Sequence, residues 1–205
     1  MDKLSNFSDT LSRFTPREFI PYLSKLILEA RVKFKIVPGR KTKLGDFRYS
    51  DLSSKPTITV NGDLNPYSFL ITSLHEIAHL NTFRKHGNTV QAHGIEWKNA
   101  FRELLEPVLT SKSLPEDIEK ALWKSFVNTK ASSCSDLALS RVLKKYDLEN
   151  DKIHLESLAK NTIFALNKKE FRKGDLRRSR YVCIEISSGK QFLVHALANV
   201  RLISE

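Results

Sequence analysis

Cysteine is scarce in this chain. Cys134 and Cys183 are the only two in 205 residues. They stand far apart and neither belongs to a C-x-x-C pair, so no disulfide framework and no structural zinc ribbon is expected. Two free, buried thiols are expected instead. Long apolar runs are missing too. No stretch reaches the roughly 18 apolar residues that mark a membrane-crossing helix, and the opening MDKLSNFSDTLSRF lacks the apolar core of a secretory signal. These absences argue against a membrane partner and for a cytoplasmic protein. Acidic residues are in deficit, 23 Asp and Glu against 34 Lys and Arg, which leaves a net charge of +11. An excess of that size points to a polyanionic partner, of which nucleic acid is the commonest, although the same charge also serves solubility alone.

What is present is a globular composition, 40% hydrophobic, long enough for one core with an appendage or for two modest domains. The stretch from Ser73 to Leu80 reads S-L-H-E-I-A-H-L. On a helix, His75 and His79 project from one face a turn apart and can grip one metal ion, while Glu76 beside them can take a proton from a metal-activated water. Satisfied core histidines are the competing explanation of such a pattern. The helical context is present: Asn65-Pro66 is a cap followed by a proline at the first helical position, and Gly87 is placed to end the helix. Between them Phe69, Leu70, Ile71, Leu74, Ile77, Ala78, Leu80 and Phe83 wrap most of the circumference, as in a helix buried on several sides.

A catalytic zinc needs a third protein ligand and a fourth position left for water. His93, just ahead of a helix expected to begin near Ile95, is the preferred third ligand, with His86, Glu103 and Glu106 as alternatives. The metzincin pattern H-E-x-x-H-x-x-G-x-x-H would need glycine and histidine where Thr82 and Lys85 stand.

Around this stretch, Thr15-Pro16 is expected to open a packing helix running to about Ala30. Strands are expected at Arg31 to Val37, Leu44 to Ser50 and Thr57 to Val60, forming a three-stranded antiparallel sheet against the motif helix, an α+β arrangement. The helix from Ile95 is expected to end before Pro107, with further helices from Pro115 and from Ser135 or Asp136. Residues 1–148 are read as this domain.

Residues 149–205 are read as a small antiparallel β module. Its short extended runs include Thr162 to Leu166, Tyr181 to Ile186 and Gln191 to His195, with a hairpin turn at Ser187 to Lys190. Lys168, Lys169, Arg172, Lys173, Arg177, Arg178 and Arg180 crowd the expected turn before Tyr181. Such a cluster can neutralise phosphates, or it can be a solvated loop.

H-E-I-A-H, the polar loop after it, and A-H-G-I-E-W-K from Ala92 to Lys98 resemble the SprT-like metallopeptidase domain, the family that includes the Spartan DNA-protein crosslink protease. R-Y-S-D-L through I-T-V-N-G-D-L, Arg48 to Leu64, is similar to that family's sheet region. The likeness is most specific from about residue 20 to 106. It implies a zincin-like fold, one zinc held by His75, His79 and His93, and Glu76 as catalytic base. It also implies structural roles for Gly94 and Trp97, and a protein substrate near or crosslinked to DNA. The chain departs from the family where many members carry a four-cysteine ribbon. Here only Cys183 remains, so the β module is either a ribbon-like hairpin without metal or an unrelated insert.

The expectation is therefore a cytoplasmic zinc metallopeptidase, nucleoid-associated if it binds DNA, single-stranded or crosslink-bearing. A nucleic-acid-binding module with a structural zinc, and a zinc peptidase unrelated to DNA, are the alternatives.

Overall fold

Leu11, fully buried, closes a first helix, α1 (Lys3–Leu11), that the sequence reading did not anticipate. The computed structural model describes residues 3–40, 42–49, 55–127, 136–148 and 153–204, and the chain divides into two compact units, Met1–Leu148 and Glu149–Glu205. Cys134 and residues 50–54 lie outside the described residues.

In the first unit the turn after Thr15-Pro16 is a short 3-10 helix, Arg17–Phe19, and the α-helix proper, α2 (Ile20–Ala30), starts only after it, with Pro21 in its first turn. Leu23 and Ile27 bury its apolar stripe. Three strands follow, β1 (Lys33–Val37), β2 (Gly45–Arg48) and β3 (Thr57–Asn61), in the order β1-β3-β2. The sheet is mixed rather than wholly antiparallel, because β1 runs parallel to β3 while β2 runs antiparallel to it. The physical reason lies in which strand takes the centre. Ile58 and Val60 on β3 are fully buried. The lysines of β1 and the Gly-Asp of β2 suit edges, where unpaired backbone meets water and charge discourages further pairing.

Helix α3 (Pro66–His86) forms as its caps predict. The Asn65 side chain accepts from the Ser68 amide at 2.9 Å, and Gly87 stands at the C-cap with φ 59°, a conformation glycine adopts without penalty. Its side chains from Phe69 to Ala78 are all buried, against the sheet and the following helix. That helix, α4 (Ile95–Thr110), does not stop at Pro107. Proline removes one backbone donor and strains the preceding turn. Continuing the helix buries Val108 and Leu109 completely, which outweighs that cost. Helices α5 (Glu116–Val127) and α6 (Leu137–Lys144) complete the unit, the latter capped by Asp136.

The second unit is a five-stranded antiparallel sheet of order β7-β6-β5-β4-β8, built from β4 (Ile163–Leu166), β5 (Lys169–Arg177), β6 (Arg180–Glu185), β7 (Gln191–His195) and β8 (Arg201–Ser204). Strands β5 and β8 are additions to the sequence reading. Leu155, Phe164, Phe171, Cys183 and Val194 form its core, so the Cys183 thiol is a packing group.

Candidate metal centre

Helix geometry brings the first two histidines together. His75 Nε2 and His79 Nε2 are 3.1 Å apart, and the loop between α3 and α4 returns His93 Nε2 to within 3.1 Å of His79 and 3.3 Å of His75. A neutral imidazole nitrogen either donates or accepts, never both. Three mutual contacts therefore cannot all be hydrogen bonds; at least one pair must face like on like. The triangle makes sense as three lone pairs converging on a cation. It is the one group of three metal-ligating residues among the described residues whose ligand atoms come together in this way.

The electrostatics favour the neutral, ligating form. Burial, followed by the charges of His79 and His93, pushes the His75 ring down to about 2. Burial, followed by His93, brings His79 down to about 4. His93 is lowered as well, by burial and then by Lys98.

Trp97, on the first turn of α4, holds the rings from beneath. Its ring centroid lies 4.6, 5.2 and 4.8 Å from those of His75, His79 and His93, and Phe101 stacks on it at 5.0 Å while also meeting the His75 ring edge-on at 5.8 Å. Its indole nitrogen is buried without a hydrogen-bond partner, so packing alone orients it. Gly94 allows the tight entry to α4. Its amide donates to Gln91 O at 2.9 Å, and a Cβ there would stand 3.1 Å from that same backbone oxygen.

Glu76 is buried on the same helix, against β2. The close approach is made possible by Gly45, where an added Cβ would stand 2.5 Å from Glu76 Oε1. Burial and the nearby Asp46 push the Glu76 carboxyl up, to about 7, against the pull of the Phe47 backbone amide, Arg40 and Lys43. A divalent cation beside it would draw that value down again. Chemically, the centre offers three neutral nitrogens and one carboxylate on a shared helix and loop.

The alternative third ligands do not join the triangle. His86, Glu103 and Glu106 fall outside the group, and the latter two are exposed. The basic cluster is reorganised as well. Its residues lie along β5 and at both ends of it instead of in one turn. Lys168 is in the β4–β5 turn, while Arg177, Arg178 and Arg180 are exposed around the opposite hairpin. Those ends are about 27 Å apart for an extended strand of this length. Lys169 pairs with Glu185 at 2.6 Å, and Arg172 is exposed. Lys173 leaves the candidate interface. It is 3% exposed, its ammonium donates to Glu156 O at 3.2 Å and to Leu158 O, and it lies 4.1 Å from the Tyr181 ring centroid.

Sequence reasoning missed Gly45 and the Phe47 amide. The available signal was a glycine inside an extended stretch, which often marks a close backbone approach. No helix among the described residues is long and apolar enough to cross a membrane. Comparison with protein-family models, with curated proteins and with solved structures returns no match for this chain.

Proposed function

We propose that the chain is a zinc-dependent endopeptidase with a zincin-like core of the SprT-like kind, acting on proteins associated with or crosslinked to DNA. The observation that carries the reading is the Nε2 triangle of His75, His79 and His93 with Glu76 one residue from the first ligand. A tetrahedral zinc with Zn–N of about 2.0–2.1 Å spaces its ligand nitrogens about 3.3–3.4 Å apart. The observed 3.1, 3.1 and 3.3 Å fit that spacing closely. Neutral imidazoles are suitable donors, and three of them leave a fourth position for water or substrate.

Zinc, when bound, supplies Lewis acidity toward a water and a peptide carbonyl. Glu76 takes the proton of the attacking water. Gly45 and the Phe47 amide hold that carboxylate against β2, and Trp97 keeps the three imidazoles in register from below. The net charge of +11 and the exposed Arg177, Arg178 and Arg180 support a nucleic-acid partner.

The test is Glu76→Gln, assayed for metal content and for casein or histone cleavage with and without single-stranded DNA. The expected outcome is one zinc per chain with cleavage abolished. Undiminished turnover in the zinc-loaded variant would remove Glu76 from the chemistry. Zinc and tight DNA binding in a wild-type chain that never cleaves would favour the binding-module alternative.

A further inference from the structure

The three-stranded sheet has two faces. Phe34, Ile36, Phe47, Ile58 and Val60 occupy the inner one, packed into the core. The registers place two polar rows on the other, Lys33–Thr57–Arg48 and Lys35–Thr59–Asp46, and a third, Val37–Asn61, at its end, where Leu44 is exposed. Lys33, Lys35 and Arg48 are exposed. From the β1–β2 loop, Arg40 Nη1 donates to Thr59 Oγ1 at 3.0 Å, and Lys43 lies 2.9 Å from Asp46 Oδ1. Asp46, the one acid in the two rows, is also bound by Arg48 at 2.5 Å. Its charge is thus already shared between two cations. Lys33 and Lys35 have no acidic partner among the described residues.

We propose that this outer sheet face of the first unit is a binding surface for the phosphodiester backbone of a nucleic acid. Lys33 and Lys35 point the same way from alternate positions of β1, about 6.7 Å apart, a spacing comparable to that of successive phosphates along a strand. Thr57 and Thr59 stand beside them with hydroxyls that can donate to phosphate oxygens. The two rows contain no apolar or aromatic side chain. Along those rows there is nothing to stack on a base, and the apolar groups of the face, Val37 and Leu44, are confined to its end. Point charges and hydroxyls on a flat surface recognise a backbone without reading its sequence.

The inference stands apart from the hydrolytic reading, and its test keeps them apart. Fluorescence anisotropy is measured on the zinc-loaded full chain with labelled oligo-dT and with a mixed-sequence duplex, over a series of salt concentrations. Casein cleavage without nucleic acid is followed in parallel and is expected unchanged in every variant. For Lys33→Ala/Lys35→Ala the salt slope should become shallower by about 1.4 on the single strand or about 1.8 on the duplex. At about 0.1 M salt this is a loss of about 25-fold or 60-fold. Lys33→Arg/Lys35→Arg should restore both slope and affinity. Should the alanine pair melt early, Lys33→Gln/Lys35→Gln, which keeps most of the side-chain length without the charge, is read in the same way. An unchanged slope with native melting would overturn the proposal, as would displacement of the probe by polyglutamate at the same charge concentration, which would make the surface a site for acidic protein instead.

Discussion

Gly45 gives the sharpest test of how Glu76 is aimed. Replacing it by alanine adds one carbon on the inner face of β2. That carbon would lie 2.5 Å from Glu76 Oε1, 2.7 Å from Glu76 Cγ and 2.8 Å from Thr72 Cγ2. Ordinary contacts start near 3.4 Å, so the strand or the carboxylate must yield by about 0.6–0.9 Å, and mispositioning by about 1 Å can cost about 100-fold in rate. Thr72 sits one turn before Glu76 on α3, so rotating the glutamate alone does not relieve the clash. The strand has to move, and the Phe47 amide moves with it. Steady-state cleavage of a casein-derived peptide by zinc-loaded Gly45→Ala should show kcat lower by about 30- to 100-fold, with KM and zinc content near wild type. Overpacking of this kind also costs about 1–3 kcal/mol of stability, read by urea unfolding. Arg48→Ala, on the opposite face of the same strand, should leave kcat alone. A kcat for Gly45→Ala within about twofold of wild type would refute the idea that β2 aims the carboxylate.

Three further outcomes are expected. His93→Ala should weaken zinc binding by at least about 100-fold in a chelator competition, whereas His86→Ala should change it little; the reverse ranking would move the third ligand. Asn65→Ala should cost about 2–3 kcal/mol in urea unfolding, because besides capping α3 its amide donates to Leu143 O at 2.9 Å and to Asp147 Oδ1 at 2.7 Å. Asn65→Asp keeps the cap but turns that amide into an oxygen facing two acceptors, so wild-type stability in that variant would contradict the dual role. Lys173→Met should cost about 1–3 kcal/mol, since two carbonyls lose a charged donor, and should leave nucleic-acid affinity unchanged in the anisotropy assay.

The parts of this structure that could be read ahead were those set by neighbours in sequence. Asn65-Pro66 and Gly87 cap α3 through contacts a few residues long, and the spacing of His75 and His79 follows from the helix repeat. His93 was reached by combining a required ligand count with a helix start. The direction of β1 could not be read in this way. It depends on β3 taking the centre of the sheet, a competition among three strands for burial. Pro107 misled for the same reason, since its local penalty is offset by Val108 and Leu109 packing elsewhere. In β5 the charges of K-E-F-R-K-G-D-L-R hid the alternation that places Phe171 inside, and Lys173 joined it there because two carbonyls and an aromatic ring receive its ammonium. Gly45 acquires its meaning only once Glu76 lies across from it.

Two of the three candidate metal ligands come ready-made, one turn apart on α3, and cost no chain closure. The third arrives only when α4 docks and Trp97 slides beneath the rings. Metal occupancy therefore gauges that docking. A substitution deep in α4, far from any imidazole, should surface first as leakage of the ion to a chelator while the helical signal is intact. Conversely, an ion captured by His75 and His79 on a newly made chain would draw the loop and α4 into place, making the metal an assembly guide.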